Sequence, residues 1–314
     1  MKFSITIPSY KKRYLSEAID SVLAQTYKNF EIIIVDDCSP EDIKSVVDKY
    51  NDSRIHYYRN SRNCGAKDVV DNWNICLGYC TGDYVICMGD DDRLMPCCLE
   101  EYAKLIEKYP GLGVYHAWTE VIDEKSDHFS ITTPRPEYES CMSLIWNRWH
   151  GYSKQFIGDF CFDVEQLKAD GGFFKLPMAW ASDDISAVRA ARIGGIANTQ
   201  IICFQYRQNR YTISSTGSSY VKADAILLER NWYKDFLRNY KVREDSIDRL
   251  FYISVNTEIE QHFREKFKVL LAQDMKTYPE HVFHWIKHHQ KYNISIVRVL
   301  YAFKMGFEIR FHGM

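Results

Sequence analysis

Four consecutive residues, Gly89-Asp90-Asp91-Asp92, place three carboxylates on one turn directly after the apolar run Tyr84 to Met88. Like charges this close raise one another's proton affinity and are costly unless a cation neutralises them. A hard divalent ion, Mg²⁺ or Mn²⁺, suits such a turn. It takes oxygen ligands, keeps several waters and is commonly held by one or two carboxylates together with substrate phosphates. Two other apolar runs also end in polar groups: Lys2 to Pro8 leads into Ser9-Tyr10, and Phe30 to Val35 leads into Asp36-Asp37-Cys38-Ser39. An isolated acidic turn reads as a solvated loop. The repetition changes that reading, because ligands of open α/β sheets bind beyond the carboxyl ends of the strands.

Those ends need elements to position them. Short β-branched runs alternate with helical stretches through the first 120 residues, the pattern of βαβ units and a mostly parallel sheet. Strands are expected at Lys2 to Pro8, Phe30 to Val35, Arg54 to Tyr58, Tyr84 to Met88 and Gly113 to Trp118. Phe30 to Val35 is apolar apart from Glu31, so cover on both faces is expected. Helices are expected at Arg13 to Ala24, Pro40 to Tyr50 with Ser39 as N-cap, Ala66 to Leu77 and Cys97 to Lys108. Between Thr119 and Phe160 the pattern loosens around Pro134, Pro136 and an aromatic stretch from Leu144 to Trp149, a place for acceptor-shaping segments. Long helical periods take over from about residue 216. The division is therefore 1–215, split into a ligand half (1–118) and an acceptor half (119–215), and a helical region, 216–314.

Composition excludes several classes. With 40 Lys+Arg against 42 Asp+Glu, the formal charge of −2 argues against a nucleic-acid partner. No glycine occurs before Gly65, so the glycine-rich phosphate loops of dinucleotide-binding and P-loop folds are missing after the first strand. That gap also disfavours a sugar-nucleotide pyrophosphorylase. Ten cysteines without a CxxC pair read as reduced thiols of a cytoplasmic protein rather than as a zinc site. The N-terminal apolar stretch is too short for a signal peptide, and no run is long enough to span a bilayer.

The segments Ile5-Thr6-Ile7-Pro8-Ser9-Tyr10, Leu15 to Tyr27 and Phe30-Glu31-Ile32-Ile33-Ile34-Val35-Asp36-Asp37-Cys38-Ser39 resemble the N-terminal signature of family 2 glycosyltransferases with the GT-A fold. The resemblance covers residues 1–215 and implies an α/β fold with a Rossmann-like, mostly parallel sheet flanked by helices. It also implies inverting sugar transfer from a nucleotide-sugar, most commonly UDP-linked, with Mn²⁺ or Mg²⁺. On that basis Pro8, Ser9, Tyr10, Asp36 and Asp37 line the nucleotide site, Asn63-Cys64-Gly65 resembles the family's N-x-G segment beside it, and Asp90 and Asp91 reach the nucleotide side. The family's D-x-D-D followed by Pro reads here Gly89-Asp90-Asp91-Asp92-Arg93-Leu94-Met95-Pro96, so the metal falls on Asp90 and Asp92 or mainly on Asp91. A helix that often carries Ala-Arg-Asn reads Asn72-Trp73-Asn74, so the arginine contact to the nucleotide is either absent or supplied by Arg62 or Lys67.

Inverting transfer needs a base to take the acceptor hydroxyl's proton. Trp180-Ala181-Ser182-Asp183-Asp184 resembles the family's acidic motif, and Arg189 lies six past Asp183, which favours Asp183 over Asp184; Ser182 or Asp183 could also simply cap a helix. Gly171-Gly172-Phe173 resembles the turn on the acceptor side, and Gln205 to Ser214 resembles a loop whose Arg207 and Arg210 would cover the diphosphate. The acceptor implied is a glycan or lipid-linked saccharide of a bacterial surface polysaccharide. The alternative is a catalytically inactive sugar- or nucleotide-sugar-binding protein of the same fold. From His281 onwards basic and apolar side chains mix, which suits either peripheral contact with the cytoplasmic membrane or packing on the chain itself or in a homo-oligomer. His284 and His288 are spaced four apart there, without an evident third metal ligand.

Overall fold

The computed structural model describes residues 1–209, 217–242 and 246–312. It divides into two compact units, one formed by Met1–Lys175 and Ser182–Thr212, the other by Leu176–Ala181 and Ile213–Met314. The boundary expected at residues 215/216, and Arg210, involve positions outside the described residues.

The first unit runs β1 (Phe3–Ser9), α1 (Leu15–Leu23), β2 (Phe30–Asp36), α2 (Lys44–Val47), β3 (Ile55–Arg59), α3 (Val69–Tyr79), β4 (Tyr84–Cys87), β5 (Arg93–Leu94), α4 (Cys98–Lys108), β6 (Val114–Ile122), β7 (His128–Ile131), β8 (Tyr138–Glu139), α5 (Cys141–Trp149), β9 (Phe160–Asp163), α6 (Val164–Ala169), α7 (Ser182–Ala191) and β10 (Ile196–Arg207). One sheet takes the order β3-β2-β1-β4-β9-β6-β10-β5, with β7 on β6 and β8 on β10. The β3-β2-β1-β4 block is parallel, as its βαβ pattern requires. β9 enters antiparallel between β4 and β6 and joins that block to the parallel pair β6/β10.

β1 and β2 pair Ile5 with Ile32 and Ile7 with Ile34, all fully buried, and Ser4, Thr6, Glu31 and Ile33 on the opposite face are buried too, so both strands lie under cover on both faces. Glu31, the one charge in β2, is buried as well. Its carboxylate accepts from Lys2 Nζ and Ser4 Oγ, both at 2.6 Å, and from Thr81 N and Oγ1 at 2.8 and 2.7 Å. Burial alone would raise its pKa, yet these donors hold it at about 2.

The second helix is far shorter than expected. Ser39 does not cap a helix from Pro40; its hydroxyl donates to Tyr10 O at 2.5 Å and accepts from Glu41 N at 3.0 Å, which ties the segment to the loop after β1 and delays the helix to Lys44.

The second unit is helical: α8 (Ser219–Asn239), α9 (Ile247–Thr277), α10 (His281–His288) and α11 (Ile296–His312). Trp285, Tyr292, Ile294 and Val299 are buried, whereas Val297, Leu300, Tyr301 and Phe307 are exposed. Trp285 Nε1 donates to Asp274 at 2.7 Å, and His284 lies against the rings of Tyr220 and His288. Among the described residues no helix is long and apolar enough to cross a membrane.

Candidate functional site

Asp36 and Asp37 follow each other at the end of β2 but face different tasks. Asp36 has no exposed surface. One oxygen accepts from Ser39 N at 2.7 Å; the other accepts from Tyr57 Oη at 2.8 Å and pairs with Arg59. Tyr57 and Arg59 both come from the adjacent parallel strand, and Arg59 also donates to Ser39 O at 2.9 Å. Asp37 instead gathers the loop beyond. Its carboxylate accepts from Asn60 Nδ2 at 2.8 Å and Cys64 N at 3.0 Å, and its carbonyl accepts from Asn63 Nδ2 at 2.7 Å. Asn63-Cys64-Gly65 is thereby folded onto Asp37, with Gly65 at φ 79° and Arg62 and Lys67 exposed beside it. Pro8 and Ser9 pair with Val35 and Asp36 across the β1/β2 ladder, which puts both strand ends at one edge.

The acidic turn is bound to that edge. Asp90 Oδ2 accepts from Tyr10 N at 2.7 Å and Lys11 N at 2.8 Å. Asp92 Oδ1 accepts from Arg207 N at 2.9 Å, and Asp91 Oδ2 accepts from Asn209 Nδ2 at 2.6 Å. A Cβ on Gly89 would stand 2.9 Å from Asp92 Oδ2 and 3.0 Å from Asp91 Oδ1, so both carboxylates fold back over this glycine.

Arg207, expected on a loop over the diphosphate, ends β10 with its side chain fully buried. Nε donates to Asp91 O at 2.8 Å, Nη2 to Glu17 at 2.8 Å and Nη1 to Ser126 Oγ at 2.8 Å, and the guanidinium lies 4.0 Å over the Tyr14 ring. It braces the acidic turn from behind, its charge answered by Glu17.

Burial and the neighbouring Asp91 push Asp90 up to about 6, burial raises Asp91, and burial with Asp91 pushes Asp92 well above the carboxylate range. Negative charge there is under-compensated by the protein, which is the condition a divalent cation relieves. Among the described residues no three His, Cys, Asp or Glu side chains converge into a ready-made metal cage. Buried carboxylates whose charge is under-compensated are oxygen donors of the kind that would suit an ion completing its shell with phosphate oxygens and water.

The second carboxylate pair opens α7. Asp184 is buried and its Oδ1 accepts from Arg148 Nε at 2.9 Å and Gln155 Nε2 at 2.6 Å, while Arg135 donates to Gln155 Oε1 at 2.8 Å. Asp183 is half-buried, accepts from Asp184 N at 2.9 Å, and is pushed up to about 7 by burial and by the charge of Asp184.

Further along the same helix, Arg189 donates to Asp170 O at 2.9 Å and also holds Gly172 O. Gly172 sits at φ 87°, and a Cβ there would meet Asn74 Oδ1 at 2.3 Å. Asn74 clamps the Phe173 backbone, accepting from its N at 2.7 Å and donating to its O at 3.1 Å, while Trp73 meets the Phe173 ring edge-on. Asn72 accepts from Asn60 at 3.0 Å. The Asn-Trp-Asn triplet on α3 thus joins the Asp37 loop to the Gly171-Gly172-Phe173 turn.

Sequence reasoning did not single out Arg148, Gln155 or Tyr206. Tyr206 stacks on Phe156 at 3.8 Å, and its phenol is raised by burial and by the charges of Asp92, Asp91 and Asp183. It therefore feels both acidic groups.

The family model for glycosyl transferase family 2 matches residues 4–161. An uncharacterized glycosyltransferase of Rickettsia prowazekii is 26% identical over 291 residues, covering 82% of this chain and 89% of that protein. One of Rickettsia typhi is 33% identical over 156 residues, 47% of this chain. The chain spans about half the length of the R. typhi relative and of one from Haemophilus influenzae, at 48% and 50%. The putative colanic acid biosynthesis glycosyl transferase WcaA of Escherichia coli is 43% identical over 96 residues, 30% of this chain and 33% of that protein. Among solved structures, Staphylococcus aureus TarS 1-349 in complex with UDP-GlcNAc aligns with a TM-score of 0.66 over 100% of this chain and 93% of that one, at 15% identity. This likeness is one of fold: a GT-A sheet flanked by helices, followed by a helical region.

Proposed function

The chain belongs to glycosyl transferase family 2, and on that premise we propose that it moves a sugar from a UDP-linked donor, with inversion, to a hydroxyl of a glycan or lipid-linked saccharide. Complexes of its structural neighbour with UDP-GlcNAc and with UDP support the donor class, and the colanic acid relative supports a polysaccharide product. Asp37 with the loop Asn60 to Gly65 forms the nucleotide edge, Arg62 and Lys67 stand beside it, and Asp36 serves as its scaffold. Pro8, Ser9 and Tyr10 close that edge through Asp90. A divalent ion held by one or two carboxylates of the Asp90-Asp91-Asp92 turn, Asp90 with Asp92 or mainly Asp91, would offset charge on the departing diphosphate. Arg207 keeps that turn in place, and Arg210 remains a candidate for the diphosphate itself.

The pair at the start of α7 carries this reading. Asp184 is committed to Arg148 and Gln155, whereas Asp183 is partly open and titrates near neutrality. Two adjacent carboxylates with divergent environments divide into a positioning group and a proton acceptor. As the acceptor oxygen bonds to the anomeric carbon, its proton passes to Asp183 while the bond from that carbon to the diphosphate breaks and UDP leaves. Asp183→Asn should lower turnover by about 10² or more, within the contribution of a general base, and leave UDP affinity near wild type. UDP release from candidate UDP-sugars with Mn²⁺ is the assay. Wild-type turnover by the Asn variant would remove Asp183 from the mechanism, and absent release by the wild-type chain with every donor would favour a binding protein instead. Exposed Val297, Leu300 and Tyr301 beside Arg298 extend the proposal to peripheral contact with the cytoplasmic membrane, which loss of flotation with anionic vesicles on truncation after Tyr278 would reveal.

A further inference from the structure

A cavity of about 500 Å³ opens within the helical unit, lined from α8, α9, the segment after α10 and the start of α11. None of the residues discussed for sugar transfer contributes to it. Three arginines, Arg230, Arg264 and Arg298, share its wall with a single carboxylate, Glu260. That carboxylate is already spent: it accepts from Arg230 Nη2 at 2.6 Å and pairs also with Lys234. Arg230 is more than nine-tenths buried, and its Nε has no hydrogen-bond acceptor. Neither Arg264 nor Arg298 has a side-chain partner among the described residues. Ser295 and Arg298 stand where α11 begins, so the positive end of a 17-residue helix adds to the field. A buried guanidinium N–H without an acceptor, beside two arginines that have no anion of their own, calls for an oxyanion.

Size and lining say more about the ligand. A bare phosphate would leave most of this volume empty, and cavities of this size suit small organic ligands. Phe263 and Phe267 form an apolar floor, while Gln290 and Asn293 are exposed amides at the wall. Aromatic side chains beside neutral hydrogen-bonding groups and arginines match a sugar ring bearing a phosphate. We propose that this cavity is a binding site for a phosphorylated saccharide, separate from the donor site. The choice of a sugar as the body of the ligand rests on the glycosyltransferase reading; the phosphate does not.

Calorimetric titration of the full chain with glucose 6-phosphate, glucose, inorganic phosphate and UDP tests it, beside an Arg264→Gln/Arg298→Gln double variant. Glucose 6-phosphate should saturate a site and bind about tenfold or more tighter than inorganic phosphate, with no saturable binding of glucose. The double variant should lose at least about tenfold for glucose 6-phosphate, the effect of removing charge-assisted hydrogen bonds, while its UDP affinity stays within about twofold of wild type. Both side chains reach solvent, and the UDP arm shows that the variant is folded. Equal binding of glucose and glucose 6-phosphate, unchanged binding by the double variant, or no saturable binding of any phosphate would overturn the proposal. So would binding only to phosphatidylglycerol vesicles, which would assign these arginines to a lipid surface. Failure of UDP to bind either protein would instead count against the donor reading alone.

Discussion

Replacing Asp183 by Asn should make the protein more stable, and by an amount that depends on pH in a defined way. Asn keeps an oxygen to accept from Asp184 N, so the hydrogen bond at 2.9 Å survives and only the charge is lost. Burial and Asp184 lift the Asp183 carboxyl from 3.8 to about 7. A carboxyl raised in the folded state favours folding while protonated; that favour is complete below the unfolded value of 3.8 and is lost as pH rises through about 7. Ionised Asp183 is thus a liability above neutrality. About three pH units at about 1.36 kcal/mol each set a ceiling of about 4 kcal/mol for the gain from Asn at pH 8, falling to about 2 kcal/mol at pH 5.5 and to about 0.5 kcal/mol at pH 4. Asp183 is partly open to water, so a third of the ceiling is the floor we expect, and that alone moves Tm by about 3 °C in a unit of this size. Scanning calorimetry of both proteins at pH 4, 5.5 and 8 reads the difference without substrate. A gain independent of pH, or none at pH 8, would refute the electrostatic account of Asp183, and with it the physical ground for choosing that residue as the base.

The same charge pattern governs the rate. Turnover should fall on the acid side with an apparent pKa of about 7, and Asp184→Asn should move that limb down by about 1 pH unit or more, since it removes the neighbouring charge and frees Arg148; a limb that stays put would mean another group is titrating. Asp92→Asn should abolish the part of UDP binding that depends on Mn²⁺ and leave the part seen in EDTA, as measured by titration calorimetry; equal loss in both conditions would point to collapse of the turn that Arg207 N holds. Glu31→Gln should cost about 3 kcal/mol at neutral pH, because a carboxylate held at about 2 rather than 4.5 contributes stability that is present above pH 4.5 and lost as pH falls through about 2. Urea unfolding at pH 7 and pH 2 checks it, the two proteins converging at the lower pH.

The strand ends were legible because an apolar run followed by polar residues is a local pattern, and local patterns suffice to place β1, β2 and β4 and the carboxylates that follow them. The division of labour between Asp36 and Asp37 was not legible. It depends on Tyr57 and Arg59, brought alongside only by the parallel pairing of β2 with β3, in which Asp36 meets Arg59. Arg207 shows the same limit more sharply. Its neighbours in sequence suggest a cationic loop, yet β10 lies parallel to β6 and antiparallel to β5, which carries its last residue in behind the acidic turn and next to Glu17 of α1. Charge alone cannot tell a brace from a ligand.

The triplet Asn72-Trp73-Asn74, which lacks the arginine that the resemblance leads one to expect there, has a physical use of its own in the structure. An arginine at position 73 would replace a nearly buried indole that packs edge-on against Phe173, at 5.9 Å between ring centres. Removing such an aromatic from a packed site costs about 3–5 kcal/mol when it is truncated to alanine, and a buried guanidinium would need an anion that Phe173 cannot supply. Asn74 leaves no latitude either, since it fills the space a Cβ on Gly172 would need and satisfies both polar groups of the Phe173 backbone. α3 therefore acts as a tie between the proposed nucleotide edge, through Asn60 and Asp37, and the turn that Arg189 holds from α7. Arg189 and Asp183 share one helix, so the Gly172 turn and the carboxylate are tied to the same rigid element. If Asp183 is the base, as proposed, these residues of α3 and the Gly172 turn would help set how rigidly its carboxylate is held.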